Sequence, residues 1–275
     1  MSGTLYLVPT PIGNLGDISA RMAQTLEKAD FIAAEDTRVS LKLLNHLGIK
    51  KPMLSYYRHN TESAGPAILD RILGGETCAL VTDAGMPAIS DPGEDLVALC
   101  AENGVDVIAI PGPCALVAAL AISGLPTGRF TFEGFLPMNK KRRKAHLQSL
   151  AGEERTMIFY EAPHKLEATL EDLAAAFGAE RRISLCRELS KLHEEVVRTT
   201  LARAVEKYRA EAPKGEFVLV LEGAAPEEPE EITLEDGVAL VEKYREEGLS
   251  LKEASRRVSA ETGLNRKALY DAAVN

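Results

Sequence analysis

The sequence predicts an α/β protein: two α/β domains with a cleft between them, followed by a small helical module of helix-turn-helix type. Three observations carry this. Short apolar runs of strand length alternate with amphipathic segments of helix length as far as residue 221. The loops that follow the strands of the first half are rich in Gly, Pro and Asp. Past an acidic, proline-containing run, helical patterns with their own cap signals close the chain.

The first half offers four strands, TLYLVPT, FIAAED, TCALVTD and VDVIAIP. Between them lie ISARMAQTLEKA, VSLKLLNHLG, AGPAILDRILGG and DLVALCAENG, whose apolar residues recur at helical spacing. Alternation of this kind means a largely parallel sheet. A break falls at Leu125-Pro126-Thr127-Gly128, so the first domain is expected over 1–125 and the second over 126–224. The second reads FTFEGFLP, a charged helix from about Lys140, TMIFYEA, a helix in HKLEATLEDLAAAFG, RISLCREL, EEVVRTTL, a helix in LARAVEKYRAEA, and GEFVLVLEG. EEVVRTTL follows RISLCREL too closely for an intervening helix, so those strands are expected antiparallel and the sheet mixed. Residues 224–231 have the composition of a linker, and 232–275 form the helical module. There ITLEDGVALVEKYREEG, LSLKEASRRVSAETG and NRKALYDAA are three helices. Ser250 with Glu253 makes a capping box, Gly263 a tight turn and Asn265 the next N-cap. This is the outline of a helix-turn-helix, and equally of a three-helix cap that packs on the rest.

Composition narrows the function classes. Hydrophobic residues make up 45% of the 275, ordinary for a globular protein with real cores. No apolar run reaches the ~18 residues of a membrane span. The N-terminus reads directly as a strand and lacks the basic region of a signal peptide, so a cytosolic location is expected. The four cysteines and five histidines show no metal-ligand spacing, so no metal is expected. The net charge of −9 argues against nucleic acid as a partner of the whole surface, yet Lys140-Lys141-Arg142-Arg143-Lys144 is a run of consecutive cations.

Four strand ends stand out: ValProThrProIleGlyAsnLeuGlyAsp at 8–17, GluAspThrArg at 35–38, VTDAGMPAISDPG at 81–93 and IleProGlyProCysAlaLeu at 110–116. In a parallel sheet such ends gather along one edge, where ligands bind. Neither the dinucleotide fingerprint nor a Walker A loop is present. Loops shaped by Gly and Pro offer backbone N–H and C=O groups at close range, which suits a nucleoside with an amino-acid tail better than a triphosphate. Within the third, Asp91-Pro92-Gly93-Glu94 also reads as a helix start, with Asp91 as N-cap and Pro92 as the first helical residue.

Taken together, LVPTPIGNLGDI, EDTR, VTDAGMPAISDPG, PGPCALVAALAISG, FEGFLP, FYEAPHK and GEFVLVLEG resemble the tetrapyrrole-methylase-like superfamily, the class III S-adenosylmethionine methyltransferases. Within it the chain is most similar to the branch that methylates a cytidine ribose 2′-hydroxyl in small-subunit ribosomal RNA. The resemblance implies two domains of the tetrapyrrole methylase type, usually in a homodimer, with S-adenosylmethionine held between them. Carried onto this sequence, the cofactor contacts would come from Pro9, Pro11 and Gly13, from Asp83, Gly85, Met86, Pro87 and Ile89, and from Cys114 and Ala115. The second domain would add Tyr160, Glu161, Arg187, Gly215 and Glu216. Porphyrin-methylating relatives carry Gly-Asp-Pro where this chain has Gly85-Met86-Pro87, which counts against a tetrapyrrole substrate.

Methyl transfer to a ribose hydroxyl needs a base or a strong orienting acceptor. Candidates at strand ends are Asp17, Glu35, Asp36 and Asp83, with Glu161, His164 and Glu188 from the second half. The Glu35/Asp36 pair with Arg38 leads, although Asp17 and Asp36 also fit helix caps, Asp36 an ion pair with Arg38, and His164 a helix start. RNA contacts are expected from Arg129, from Lys140, Lys141, Arg142, Arg143 and Lys144, and from Arg256, Arg257, Arg266 and Lys267 in the helical module. The partner implied is the small ribosomal subunit. The rival readings are a small-molecule methylase, tetrapyrrole or other, and an RNA-binding assembly protein without catalysis.

Overall fold

In the computed structural model the described residues are 2–225 and 232–274. Most of the acidic linker expected at 224–231 therefore lies outside them. The chain divides into two compact units, 1–224 and 225–275.

The first unit carries two five-stranded sheets. The first sheet is built from β1 (Thr4–Leu7), β2 (Phe31–Ala34), β3 (Met53–Ser55), β4 (Cys78–Val81) and β5 (Asp106–Ala109), in the order β3-β2-β4-β1-β5. All neighbours are parallel. Every residue of β2 and β4 is buried, which is why both read as unbroken apolar runs rather than alternating ones. Helices α1 (Ala20–Lys28), α2 (Thr37–His46), α3 (Thr61–Leu73) and α4 (Glu94–Glu102) cover the two faces. Leu5, Phe31 and Leu80 pack with Ile68, Ile72 and Leu96 on one side, and Val8, Ile32 and Val81 with Met22, Leu26 and Leu44 on the other. Strand β3 is absent from the sequence reading. Its three residues follow Lys50-Lys51-Pro52 at an edge, too short to show a period.

A second correction concerns Asp91-Pro92. Helix α4 begins at Glu94, and its N-cap is Gly93 at φ 144°, with no side chain capping it. Asp91 and Pro92 belong to the loop before the helix, because the tight return of Ala88 N–H to the Pro92 carbonyl (3.3 Å) holds them there.

Helix α5 (Ala115–Ile122) is apolar along its length, although Val117, Ala118 and Ala121 face solvent. Its Leu116, Ala119 and Leu120 pack on Ile158, Val218 and Val220 of the second sheet. That sheet comprises β6 (Phe130–Phe135), β7 (Thr156–Glu161), β8 (Arg182–Arg187), β9 (Glu195–Thr200) and β10 (Phe217–Leu221), in the order β6-β7-β10-β8-β9. β6 and β7 are parallel and the other pairs antiparallel, so the sheet is mixed. Helices α6 (Lys140–Ser149), α7 (Leu166–Phe177) and α8 (Leu201–Ala210) cover its other face, over Met157, Phe159, Leu185 and Leu219.

The second unit holds α9 (Leu234–Glu246), α10 (Leu251–Thr262) and α11 (Arg266–Ala272) around Val241, Ala254, Val258 and Leu269. Thr233/Asp236 and Ser250/Glu253 form complete capping boxes. Gly263 ends α10 at φ 74° and Asn265 caps α11. Each helix start, and the stop of α10, is therefore written in local sequence chemistry.

Candidate methyl-donor cleft and its carboxylates

The loops after β1, β4 and β5 converge at the C-terminal edge of the first sheet. Thr10 and Gly85 exchange two backbone hydrogen bonds of 2.9 Å, and the Thr10 hydroxyl donates to the Thr82 carbonyl at 2.9 Å. Gly112 lies so close to Pro9 that a Cβ there would stand 2.4 Å from the Pro9 ring. Facing these loops is a cleft of about 360 Å³, within the range of small-ligand sites.

Ile12, Ala84, Gly85, Met86 and Ile89 form one wall, and Cys114 and Ala115 at the start of α5 form the back. The second sheet supplies Phe135, Tyr160 and Glu161, then Cys186, Leu189 and Lys191, and finally Glu216, Phe217 and Val218. The Tyr160 ring packs edge-on against Phe135 at 5.6 Å, and its hydroxyl accepts the Leu116 N–H at 3.1 Å. Burial pushes the Tyr160 phenol well above its ordinary pKa, so it stays neutral. Glu161 is buried; it accepts the Ala162 N–H at 2.9 Å and the Thr169 hydroxyl at 2.6 Å. Lys191 bridges Glu188 and Glu216, 2.8 Å from each. Four non-glycine residues have positive φ: Ala88 (68°), Ser90 (64°), Glu188 (51°) and Ser190 (65°) among the described residues. All four lie in the two loops that flank the cleft, where strained backbone concentrates in functional sites.

Of the expected cofactor contacts, Gly85, Met86, Ile89, Cys114, Ala115, Tyr160, Glu161 and Glu216 line this cleft. Others stand behind it. Gly13 is covered by the Lys191 chain, 2.4 Å from where a Cβ would be, and Gly215 (φ 84°) likewise lies against Glu188. Arg187 pairs with Glu195 at 3.2 Å. Pro9 is buried, Pro11 half-buried and Pro87 buried within the loop walls. Sequence reasoning missed Lys191, Leu189, Cys186 and Phe217, which come from strands and turns without a motif, and Asp91, whose role was read as a cap.

The carboxylates sort themselves by environment. Asp36 caps α2, accepting the Arg38 N–H at 2.8 Å, and grips the Arg38 guanidinium at 2.6 and 3.0 Å. That partner lowers its pKa to about 2, so it is fully ionised and already engaged. Asp17 sits exposed in a short 3₁₀ turn, Leu15–Asp17, before the Ser19 cap of α1. Adjacent strands β2 and β4 bring Glu35 beside Asp83: the Asp83 N–H reaches Glu35 at 3.4 Å, and the Asp36 N–H reaches Asp83 at 3.2 Å. Loss of hydration raises both Glu35 and Asp83. Asp91, on the cleft wall, is pushed up to about 7 by burial and then by the charges of Glu35 and Asp83.

The cationic run forms α6, N-capped by Asn139. Lys140, Lys141, Arg142 and Lys144 are exposed. Arg143 instead turns inward, 2.7 Å from Asp172 and 3.2 Å from the Thr169 hydroxyl that holds Glu161. In the second unit Arg256, Arg266 and Lys267 are exposed, while Arg257 stacks on Tyr244 at 4.2 Å and pairs with Glu261 at 3.0 Å.

Residues 4–205 match the family model of tetrapyrrole (corrin/porphyrin) methylases, and residues 234–275 match that of the RsmI C-terminal HTH domain. The fold is that of cobalt precorrin-4 methyltransferase (TM-score 0.57, 20% identity, covering 80% of this chain and 94% of that one). It is equally that of diphthine synthase (TM-score 0.61, 15% identity, 80% and 90% covered). Fold and site thus define a methyltransferase of the tetrapyrrole-methylase class. Ribosomal RNA small subunit methyltransferase I of a Synechocystis strain is 49% identical, covering 98% of this chain and 96% of its own. The Halalkalibacterium halodurans and Bacillus subtilis proteins of the same name are 48% and 41% identical, each covering 98% of this chain and 94% of theirs. The chain belongs to the ribosomal RNA small subunit methyltransferase I family.

Proposed function

We propose that this protein transfers a methyl group from S-adenosylmethionine to the ribose 2′-hydroxyl of a cytidine in the decoding centre of small-subunit ribosomal RNA. The observation that carries the substrate is the second family match, over 234–275, joined to a methylase fold matched over 4–205. A tetrapyrrole methylase has no evident use for an added helix-turn-helix with exposed Arg256, Arg266 and Lys267. Nor does it need the exposed cations of α6.

The cleft fits the donor. Its apolar and aromatic walls suit an adenosine ring, and Tyr160 and Phe135 present π-faces and edges of the kind that accommodate a sulfonium. The cleft-lining loops offer backbone donors and acceptors for the ribose and amino-acid tail, with Gly85 allowing close approach. S-adenosylmethionine supplies an electrophilic methyl group on sulfur. The chain's own work is to hold the target hydroxyl in line with it, exclude water and take up a proton. The cofactor contacts expected at Pro9, Pro11, Gly13, Asp83, Pro87, Arg187 and Gly215 then act as a support for the lining residues. Arg129 and the exposed residues of α6 and α11 guide the phosphate backbone. A homodimer in the cytosol completes the reading.

The test uses labelled S-adenosylmethionine with unmethylated small subunits, free rRNA or a porphyrinogen, followed by mass-spectrometric mapping. A single 2′-O-methylcytidine on the subunit is the expected product. Label on the porphyrinogen alone would establish the small-molecule reading, and no S-adenosylmethionine binding by calorimetry would establish a non-catalytic binder.

A further inference from the structure

The ionisable groups on the cleft wall differ in how they are occupied. Glu161 is held by Thr169 and by the Ala162 N–H. Glu216 is held by Lys191, which Glu188 also grips. The Tyr160 hydroxyl is bonded to the Leu116 N–H. Cys186 is buried in the second-sheet core. Asp91 lines the same cleft with no hydrogen-bond or ion-pair partner among the described residues. Its sequence context promised it a structural post as the N-cap of α4, and Gly93 holds that post instead.

Its position relative to the cations is equally informative. Ser90, its neighbour, packs against β6, with Ser90 Oγ 3.4 Å from where a Cβ on Gly134 would stand. Phe135, the next residue of β6, is on the cleft wall and 57% exposed. From there the chain runs through four residues to α6 and its exposed cations. Asp91 therefore occupies the side of the cleft that shares a strand with the basic helix, where an RNA backbone would bring its ribose.

We infer that Asp91 is the proton acceptor for the ribose hydroxyl, a role that the leading pair Glu35/Asp36 does not fill. The inference rests on the methyl-transfer reading above. In the step, the 2′-oxygen forms its bond to the methyl carbon as the carbon–sulfur bond breaks. That electron pair stays on sulfur, giving S-adenosylhomocysteine. The hydroxyl proton passes to the Asp91 carboxylate and then to solvent. Asp36, ionised and bound by Arg38, is spent on the cap of α2.

Glu35 and Asp83 then serve as positioning groups. Their charges act on Asp91 from the ends of β2 and β4, and Arg58, after β3, opposes them and donates toward the Ser90 carbonyl at 3.4 Å. From across the cleft Tyr160 also faces Asp91. Burial first, and then two anions against one cation, keep the Asp91 carboxyl at about 7, the value at which a base is both deprotonated and basic near neutrality.

The experiment compares wild type, Asp91→Asn, Asp91→Glu and Glu35→Gln by kcat against pH on unmethylated subunits. Calorimetric S-adenosylmethionine affinity and an NMR titration of the Asp91 carboxyl in the donor-free protein accompany it. Asp91→Asn should lower kcat by about 10²- to 10⁴-fold with donor affinity held within about threefold, and Asp91→Glu should restore part of the loss. Wild-type kcat should fall on the acid side of pH 7, in step with the NMR titration. Glu35→Gln, which removes one of the two anions, should move both to lower pH. If Asp91→Asn turns over at the wild-type rate, or the carboxyl titrates in the ordinary range near 4, the assignment is overturned while the methylase reading stands. If wild type itself transfers no methyl group, both fall.

Discussion

Gly112→Ala tests how tightly the two loops proposed to hold the methyl donor are locked together. The added Cβ would lie 2.4 Å from Pro9 Cγ and 3.2 Å from Pro9 Cβ, about 1 Å short of the 3.4 Å at which ordinary contact begins. Pro9 is buried and its ring cannot swing away. The loops after β1 and β5 must therefore part, although Ile110 N–H to the Leu7 carbonyl (2.9 Å) ties their bases. Gly112 has no positive φ to lose, so the cost is steric, about 1–3 kcal/mol for an overpacked site. For a unit of this size that is a drop in Tm of roughly 2–12 °C. Cys114 and Ala115 follow directly on the cleft wall, so S-adenosylmethionine binding should weaken about tenfold, or ~1.4 kcal/mol. Differential scanning calorimetry and isothermal titration read the two effects, with Gly152→Ala, where a Cβ meets nothing, as control. A Tm and Kd equal to the control's would refute the argument that these loops are in rigid contact.

Three further outcomes follow from the same geometry. Thr169→Val leaves the buried Glu161 without its hydroxyl donor and takes from Arg143 one of its two acceptors, Asp172 remaining; about 1–3 kcal/mol of stability should be lost in denaturant titration, with weaker donor binding. Asp91 holds its proton more tightly folded than unfolded, since its pKa rises from 3.8 to about 7. Stability is therefore lost as pH rises through that window, and Asp91→Asn should be the more stable protein at pH 8 but not at pH 3. After discounting for solvent exposure the gain is on the order of 1 kcal/mol. Replacing Lys140, Lys141, Arg142 and Lys144 by Ser should reduce the salt slope of RNA binding by roughly 3 to 4, without changing Tm. Arg143→Ser should instead lower Tm, because Arg143 is paired with Asp172 inside the fold.

How much of this was legible beforehand depended on whether a feature is local. The capping box at Ser250 and the αL stop at Gly263 are written in adjacent residues, and they fell where the side chains said; the box at Thr233 and Asp236 is equally local and was overlooked. Strands β2 and β4 were visible as apolar runs because both of their faces are covered. Met53–Ser55 was not, since an edge strand of three residues leaves no pattern. Asp91-Pro92-Gly93-Glu94 misled because two cap signals compete there: a side-chain cap at Asp91 and a glycine at φ 144° two residues on, which won. Of the three carboxylates, Glu35 and Asp83 were legible as strand-end candidates on one sheet edge, but their adjacency, and Asp91 beside them, could not be read from the chain. That adjacency exists because β2 and β4, more than 40 residues apart, are hydrogen-bonded neighbours from Phe31↔Cys78 to Ala34↔Val81. The bridge from Lys191 to Glu216 was hidden for the same reason, since 25 residues separate them, while its pairing with Glu188 is local.

The order of the second sheet bears on how the protein is made. β10 emerges last of its five strands, yet it lies in the centre, hydrogen-bonded to β7 on one side and β8 on the other. Until it arrives, two long apolar strands each keep an open edge, and a growing chain must wait with both exposed. Glu216, Phe217 and Val218 at the start of β10 are also the last residues to join the cleft wall. The proposed donor site is therefore complete only when synthesis of the methylase unit is nearly finished. A nascent chain stalled before residue 216 carries the first sheet, with its three carboxylates, and no finished place to hold a methyl donor.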